Sequence, residues 1–162
     1  MAFAYVARFA TTRAKLTKYL TRKLAERGWE GDARPDPRAL AEEMAGKGYI
    51  DDSDYAAIKA GSLMRRGYGQ RRVANMLFAD GIEEADRGGA EQVCVTERTS
   101  AIVALARRRR FGPFADAPAD EKARARQLAT MIRAGHDFGL AKKLLDLGPE
   151  WRDEAIEDML AD

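Results

Sequence analysis

The chain has 162 residues, with 28 lysines and arginines against 26 aspartates and glutamates, one cysteine and one histidine. A lone cysteine excludes an intrachain disulfide and a cysteine-based zinc site, and an apolar content of 46% excludes wholesale disorder. The formal net charge of +2 is small, but it is spread unevenly along the chain.

The opening MAFAYVARFATTRAKL is apolar only as far as Ala7 and lacks the basic start and long apolar core of a signal peptide. No run approaches the eighteen or so apolar residues of a membrane span, so a soluble, cytoplasmic protein is expected. Leu16, Tyr19, Leu20 and Leu24 mark the apolar face of a first helix. Leu40 and Met44 belong to a second, introduced by RPDPR, where Asp36 suits an N-cap and Pro37 the first turn. Tyr55, Ile58, Ser62 and Leu63 mark a third, entered through the acidic capping run DDSD. Val73, Met76 and Leu77 mark a fourth. The nearest approach to a strand is EQVCVTE, which is short, so the chain reads as all-α.

Three segments resemble one another: TRAKLTKYLTRKLAERGW (Thr12–Trp29), RGYGQRRVANMLFADGI (Arg66–Ile82) and RAGHDFGLAKKLLDLGP (Arg133–Pro149). Aligned on the glycines that close them, Gly28, Gly81 and Gly148, they superpose Leu24 with Leu77 and Leu144, and Leu20 with Val73 and Leu140. Arg13, Arg66 and Arg133 also coincide. Each reads as an amphipathic helix stopped by a glycine in the left-handed C′ position.

Charge follows the same register. Residues 1–28 carry seven basic side chains and one acid, and residues 29–58 carry three basic and eight acidic. Residues 59–79 carry five basic and no acid, whereas 80–97 carry one basic and six acidic. Residues 98–115 are again basic, with five cations and no acid, and the tail 146–162 has one cation and seven acids. Residues 116–145 are nearly balanced at +2, and each closing glycine is followed by an acidic segment, three times over, as duplication of a helical unit would produce. Three helices are the fewest that bury a common core without a sheet.

These residues resemble the RecX family of bacterial regulatory proteins. YVARFATTRAKL is similar to the family's Tyr-Leu-Ala-Arg followed by a Ser/Thr cap and a basic helix, and LAERGW closes that helix as the family does. The strongest match is KGYIDDSDYAAIKAGSLMRRGYGQRRVANMLFADGI, which carries the Gly-hydrophobic-Ile/Leu-Asp-Asp turn, an aromatic at Tyr55, then Arg-Arg-Gly-Tyr-Gly and a helix ending in Gly-Ile. DRGGAEQV, RAGHDFG and RPDPR depart from the family's pattern. The resemblance implies a non-enzymatic modulator of the recombinase RecA that binds the recombinase–DNA filament and limits its growth, ATP turnover and strand exchange.

Gly67-Tyr68-Gly69 looks like part of a nucleotide-binding glycine loop, but such loops follow a buried strand. Here a helix precedes it, so it reads as a joint in which Gly67 ends one helix and Gly69-Gln70 begins the next. Arg65, Arg66, Arg71 and Arg72 flank the joint with no acid between Asp54 and Asp80. With Tyr68 and Asn75 they are the candidate contacts to DNA phosphate or to an acidic partner surface. RRRRFGPF adds Arg107, Arg108, Arg109 and Arg110, with Phe111 and Phe114 packing beneath or stacking on bases. Arg13, Lys18 and Arg22 extend the set from the first helix, where the cations occupy more than one face.

Support for enzymatic chemistry is slight. His136 reads as a structural cap or a surface histidine, and no second histidine exists to build a zinc triad. Cys94, between Val93 and Val95, reads as a buried apolar group. The carboxylates of AEEMAG and EEADRG read as solvated faces or helix N-termini. Trp29 and Trp151 read as inter-helix anchors.

The expectation is therefore an all-α array of three-helix modules at 1–65, 66–130 and 131–162, the last truncated, elongated and curved. No catalytic residue, cofactor or metal is expected. The expected partners are a RecA-type recombinase filament and, weakly and without sequence preference, single- or double-stranded DNA; the protein itself is expected as a monomer. A free-standing DNA-binding helix-turn-helix protein is the alternative.

Overall fold

The computed structural model describes residues 1–148 together with 151, 156, 159 and 160. Helices are set by local caps. Thr12 Oγ1 accepts the Lys15 amide at the start of α2 (Arg13–Arg27), which follows the short α1 (Ala2–Val6). Asp36 accepts the Arg38 amide to open α3 (Pro37–Gly46), with Pro37 in its first turn, and Asp51 accepts the Asp54 amide to open α4 (Asp52–Arg65). Each such bond satisfies a helix N–H that has no partner within the helix. The next helices are α5 (Gln70–Ala79), α6 (Gly88–Thr96), α7 (Arg98–Arg109), α8 (Glu121–Arg133) and α9 (Phe138–Asp146). The last two are capped by Asp120 and Asp137. EQVCVTE lies almost wholly in α6, and the described residues contain no strand. No helix among them is long and apolar enough to cross a membrane.

Several helices end in one way. In α4, the Gly67 amide donates to Met64 O at 2.8 Å and the Tyr68 amide to Leu63 O at 3.2 Å, with Gly67 at φ +81°. The same pair of bonds recurs after α5, with Gly81, and after α8, with Gly135. This is the glycine-stopped Schellman turn, in which a left-handed residue lets the chain satisfy the last carbonyls. The end of α9 differs from the expected glycine stop. Leu147 terminates it in an extended conformation (φ −75°, ψ 126°), which delivers the Leu147 side chain into the core beside α9.

Buried apolar residues form three clusters. The first joins α1, α2 and α3 through Ala2, Leu16, Leu20, Ala41 and Ile50. In the second, α4 packs chiefly on α6, with Val73 and Leu77 of α5 beneath. The third runs from Ile102 of α7 through Met131 and Leu144 to Ile156 and Leu160. They divide the chain between residues 50 and 56 and between 101 and 102.

Three of the helices share a register that is counted from their N-caps and not from the glycines that follow. Thr12, Gly69 and Asp137 are the caps. Four residues on lie Leu16, Val73 and Ala141, and eight on lie Leu20, Leu77 and Leu145, all buried. The glycine alignment instead pairs Leu24 with Leu77, and Leu24 is only half-buried. α2 is 15 residues long and α5 10, so counting back from their ends loses the phase of the buried face.

The two expected anchors fare differently from each other. Trp151 packs against the third cluster, whereas Trp29 is 54% exposed in the loop after α2. Gly28 ends α2 with φ +72° and sends the following chain away from the core.

Candidate functional site

The joint between α4 and α5 is buried against the joint between α8 and α9. The Gly69 amide donates to Ala134 O at 2.9 Å, the Arg71 amide to Gly135 O at 3.2 Å, and His136 Nε2 lies 3.0 Å from Gly67 O. A Cβ on Gly69 would fall inside contact distance of the Gly135 carbonyl, and one on Gly135 would lie 2.9 Å from Gly69 O. Only glycine permits this approach of two backbones.

His136 is therefore neither a cap nor a surface group. It is 2% exposed, and Asp137 caps α9 in its place. Gly67 O can only accept, so Nε2 carries the proton. Burial pushes the imidazolium pKa down, against a smaller upward pull from the Gly67 carbonyl. The unfolded chain then binds a proton more readily than the folded one, so stability falls as pH drops below about 6.5 toward the depressed folded value. Thermal melts from pH 8 to 5.5 should show a midpoint that is flat at the top and declines below that pH. In His136→Gln the decline should vanish within this window, because the chain has no other histidine.

Around the buried glycines lie exposed cations. α7 crosses close to the first joint: a Cβ on Gly67 would lie 3.1 Å from Leu105 N. One turn later, Arg108 Nη1 donates to Arg66 O at 2.9 Å, closing one of the carbonyls left open at the end of α4. The guanidinium of Arg66 sits 5.5 Å from the Tyr68 ring centroid, and that of Arg72 sits 5.9 Å from it. Arg107 lies 5.0 Å from the Phe114 ring, and Phe111 and Phe114 pack on the third cluster. Two basic runs about 40 residues apart in sequence, RRGYGQRR and RRRRFGPF, thus meet at one surface, with Arg66, Tyr68, Arg72 and Arg108 at its centre.

The rest of the expected set is distributed around it. Arg65 and Arg109 are exposed at the ends of α4 and α7, and Asn75 is exposed on α5. Arg71 diverges from Arg72. It lines a cavity of about 410 Å³ with Arg98 and Asp137, and both arginines help hold the Asp137 carboxyl below the usual range, after the Leu140 amide that it accepts. Arg110 turns the chain in a left-handed conformation and pairs with Asp116 at 3.2 Å in full solvent, a contact of little energetic weight. Among the described residues, no carboxylate lies within ion-pair distance of Arg65, Arg66, Arg71, Arg72, Arg108 or Arg109. Unpaired planar guanidiniums beside an aromatic ring suit phosphate and carboxylate oxygens.

Arg13 lies elsewhere and is occupied. Its amide and Nε each donate to Asp52 at 3.0 Å, Nη1 reaches Glu42 at 3.3 Å and Nη2 reaches Asp86 at 2.5 Å. The hydrogen bond to Asp52 is the chief reason its pKa is raised. Beside it, Thr12 Oγ1 donates to Asp80 O at 2.9 Å, and the Asp80 carboxylate accepts from Tyr55, Lys15 and Lys59. Burial pushes that carboxyl up, but these three donors more than offset it and hold it low. This polar clamp seats the start of α2 on the end of α5. Lys18 and Arg22 are exposed on α2, away from the clamp.

Cys94 is buried, and burial followed by Glu91 pushes its thiol up, the reverse of an activated nucleophile. Sequence reasoning missed the roles of Gly135, His136 and Arg98. The spacing of 68 between Gly67-Tyr68 and Gly135-His136 was the available signal for the first two, because it sets His136 at the half-buried position of Tyr68.

No family model matches the sequence. The chain is 33% identical over 156 residues to the regulatory protein RecX of Myxococcus xanthus (strain DK1622), across 91% of this chain and 83% of that protein. It is 30% identical over 151 residues to the regulatory protein RecX of Agrobacterium fabrum (strain C58), across 91% and 80% of the two. With the regulatory protein RecX of Halorhodospira halophila it shares 32% identity over 133 residues, 79% of this chain and 76% of the relative.

Proposed function

Because the chain belongs to the RecX family, we propose that it is a non-enzymatic regulator that binds a RecA-type recombinase filament on DNA and inhibits its ATP turnover, growth and strand exchange. The observation that carries this reading is the cluster of Arg66, Tyr68, Arg72 and Arg108, unpaired with acids and assembled from two distant basic runs. Such a cluster addresses DNA phosphate or a carboxylate-rich protein face. The acidic stretches between the basic ones address complementary charge on neighbouring filament subunits. Many weak contacts along a long partner add up through effective concentration. On this reading the molecule is a row of three helical units in an elongated, curved monomer. Three separate apolar clusters support three units.

The test is recombinase ATPase on single-stranded DNA with substoichiometric protein. Reversal of Arg65, Arg66, Arg71 and Arg72 to glutamate should raise the concentration for half-inhibition by about tenfold or more, with helix content unchanged by circular dichroism. Full inhibition by that variant would remove the cluster from the account. Unchanged ATPase with the native chain, together with tight, sequence-selective and salt-sensitive duplex binding, would replace the regulator by a free-standing DNA-binding protein.

A further inference from the structure

We propose that the passage from α1 into α2 is a second binding site, for single-stranded nucleic acid, separate from the arginine cluster at the joints. Five side chains there form a continuous ladder. The guanidinium of Arg8 lies 5.7 Å from the Phe9 ring, Phe9 leans on Tyr5 at 5.3 Å, and Tyr5 stacks on Tyr19 at 4.2 Å with planes 20° apart. Arg22 completes it, 5.9 Å from the Tyr19 ring. The inner side of the ladder, through Tyr5 and Tyr19, rests on the first cluster. Tyr5 and Tyr19 line an open groove of about 700 Å³ together with Lys18 and Arg22. Arg8 and Phe9, at the other end of the ladder, face an adjoining groove of about 650 Å³ that also carries Asp51, Asp54 and Lys59.

Two features identify the ligand. Phe9 leaves 53% of its surface in water, so part of its ring beside Arg8 and Tyr5 is open to a further planar group. Among the described residues, Lys18 has no ion-pair partner and Arg8 meets only Phe9, and Arg22 has Glu26 at 3.6 Å in an exposed pair. The site therefore combines stacking surfaces with cations that are unpaired or held only in an exposed pair, the grammar by which proteins hold an unpaired strand. A duplex has its base faces occupied by its own stack and would leave the rings unused. An acidic peptide would satisfy the cations but not the aromatic faces.

The inference does not depend on the recombinase reading, and its test can fail separately. Fluorescence anisotropy of a labelled twenty-nucleotide oligothymidylate, titrated with the full chain at low salt, should show saturable binding. In a background carrying Arg66→Glu and Arg72→Glu, which silences the other cluster, binding should persist in part. There Phe9→Ala should weaken it by about tenfold, with helix content and melting temperature retained, and Phe9→Trp should restore it. Lys18→Ala with Arg22→Ala should reduce the slope of log affinity against log salt by about 1.4. Equal affinity for a blunt duplex, loss of all binding in the Arg66→Glu, Arg72→Glu background, or equal affinities of Phe9→Ala and Phe9→Trp would each overturn the proposal. So would absence of oligonucleotide binding alongside a Phe9→Ala loss of recombinase inhibition, which would make this a protein-docking face.

Discussion

Gly135→Ala should be among the most damaging single substitutions in this protein, lowering stability by about 3–5 kcal/mol. Two independent costs add. Gly135 has φ +95°, where an L side chain is strained by about 1–2 kcal/mol. Its new Cβ would also lie 2.6 Å from Arg72 Cβ and 2.9 Å from Gly69 O, and the neighbouring atoms are backbone of two packed turns that cannot swing aside as a flexible side chain could. Gly69→Ala should fail by the second cost alone, since its Cβ would meet the Gly135 carbonyl and the His136 amide. Gly88→Ala is the control: nothing lies within 4 Å of its Cβ and it opens a helix, so it should be neutral or gain up to about 1 kcal/mol. Urea unfolding of the three variants checks the order. A Gly135→Ala protein as stable as Gly88→Ala would show that the two joints do not interlock. The same variant should lose binding at the arginine cluster, because the cluster sits on the α4–α5 turn that this contact holds.

Arg13→Ala should cost about 2–3 kcal/mol. The Asp52 side chain is 2% exposed and relies on Arg13 for charge, and removing one partner of a buried pair leaves the other uncompensated, at about 3–5 kcal/mol for full burial. A guanidinium that keeps a quarter of its surface in water reduces that figure, because solvent can repair part of the loss. Arg13→Lys should recover less than half. A lysine offers one compact charge, whereas the planar fork spans Asp52, Glu42 and Asp86 at once. A double-mutant cycle with Asp52→Asn, followed by thermal melting, isolates the coupling. A coupling near zero would demote the clamp to an incidental surface network.

The arginine cluster was visible in sequence only as composition. RRGYGQRR and RRRRFGPF announce positive charge, but charge runs carry no information on which side chains converge. Convergence came from Gly67, whose missing Cβ lets α7 approach and brings Arg108 to Arg66. Arg13 looked like its neighbours Lys18 and Arg22 by type and helix, yet it is drawn to Asp52, 39 residues away.

What the amino-acid order determined by itself was most of what acts within one helical turn. Asp36, Asp51 and Thr12 cap because a short oxygen-bearing side chain reaches an amide two or three residues on. Gly67 and Gly81 stop helices because only they take the left-handed turn cheaply, and apolar spacing marked Leu16 and Val73 for the interior. Tertiary structure alone decided whether His136 was inside or out, since its partner Gly67 lies 69 residues back. It also decided that Trp29 remains in water and that α2, α5 and α9 share a buried register counted from their caps. Those outcomes depend on which surfaces are pressed together at long range, where burial and close backbone contact outweigh any preference a short segment holds by itself.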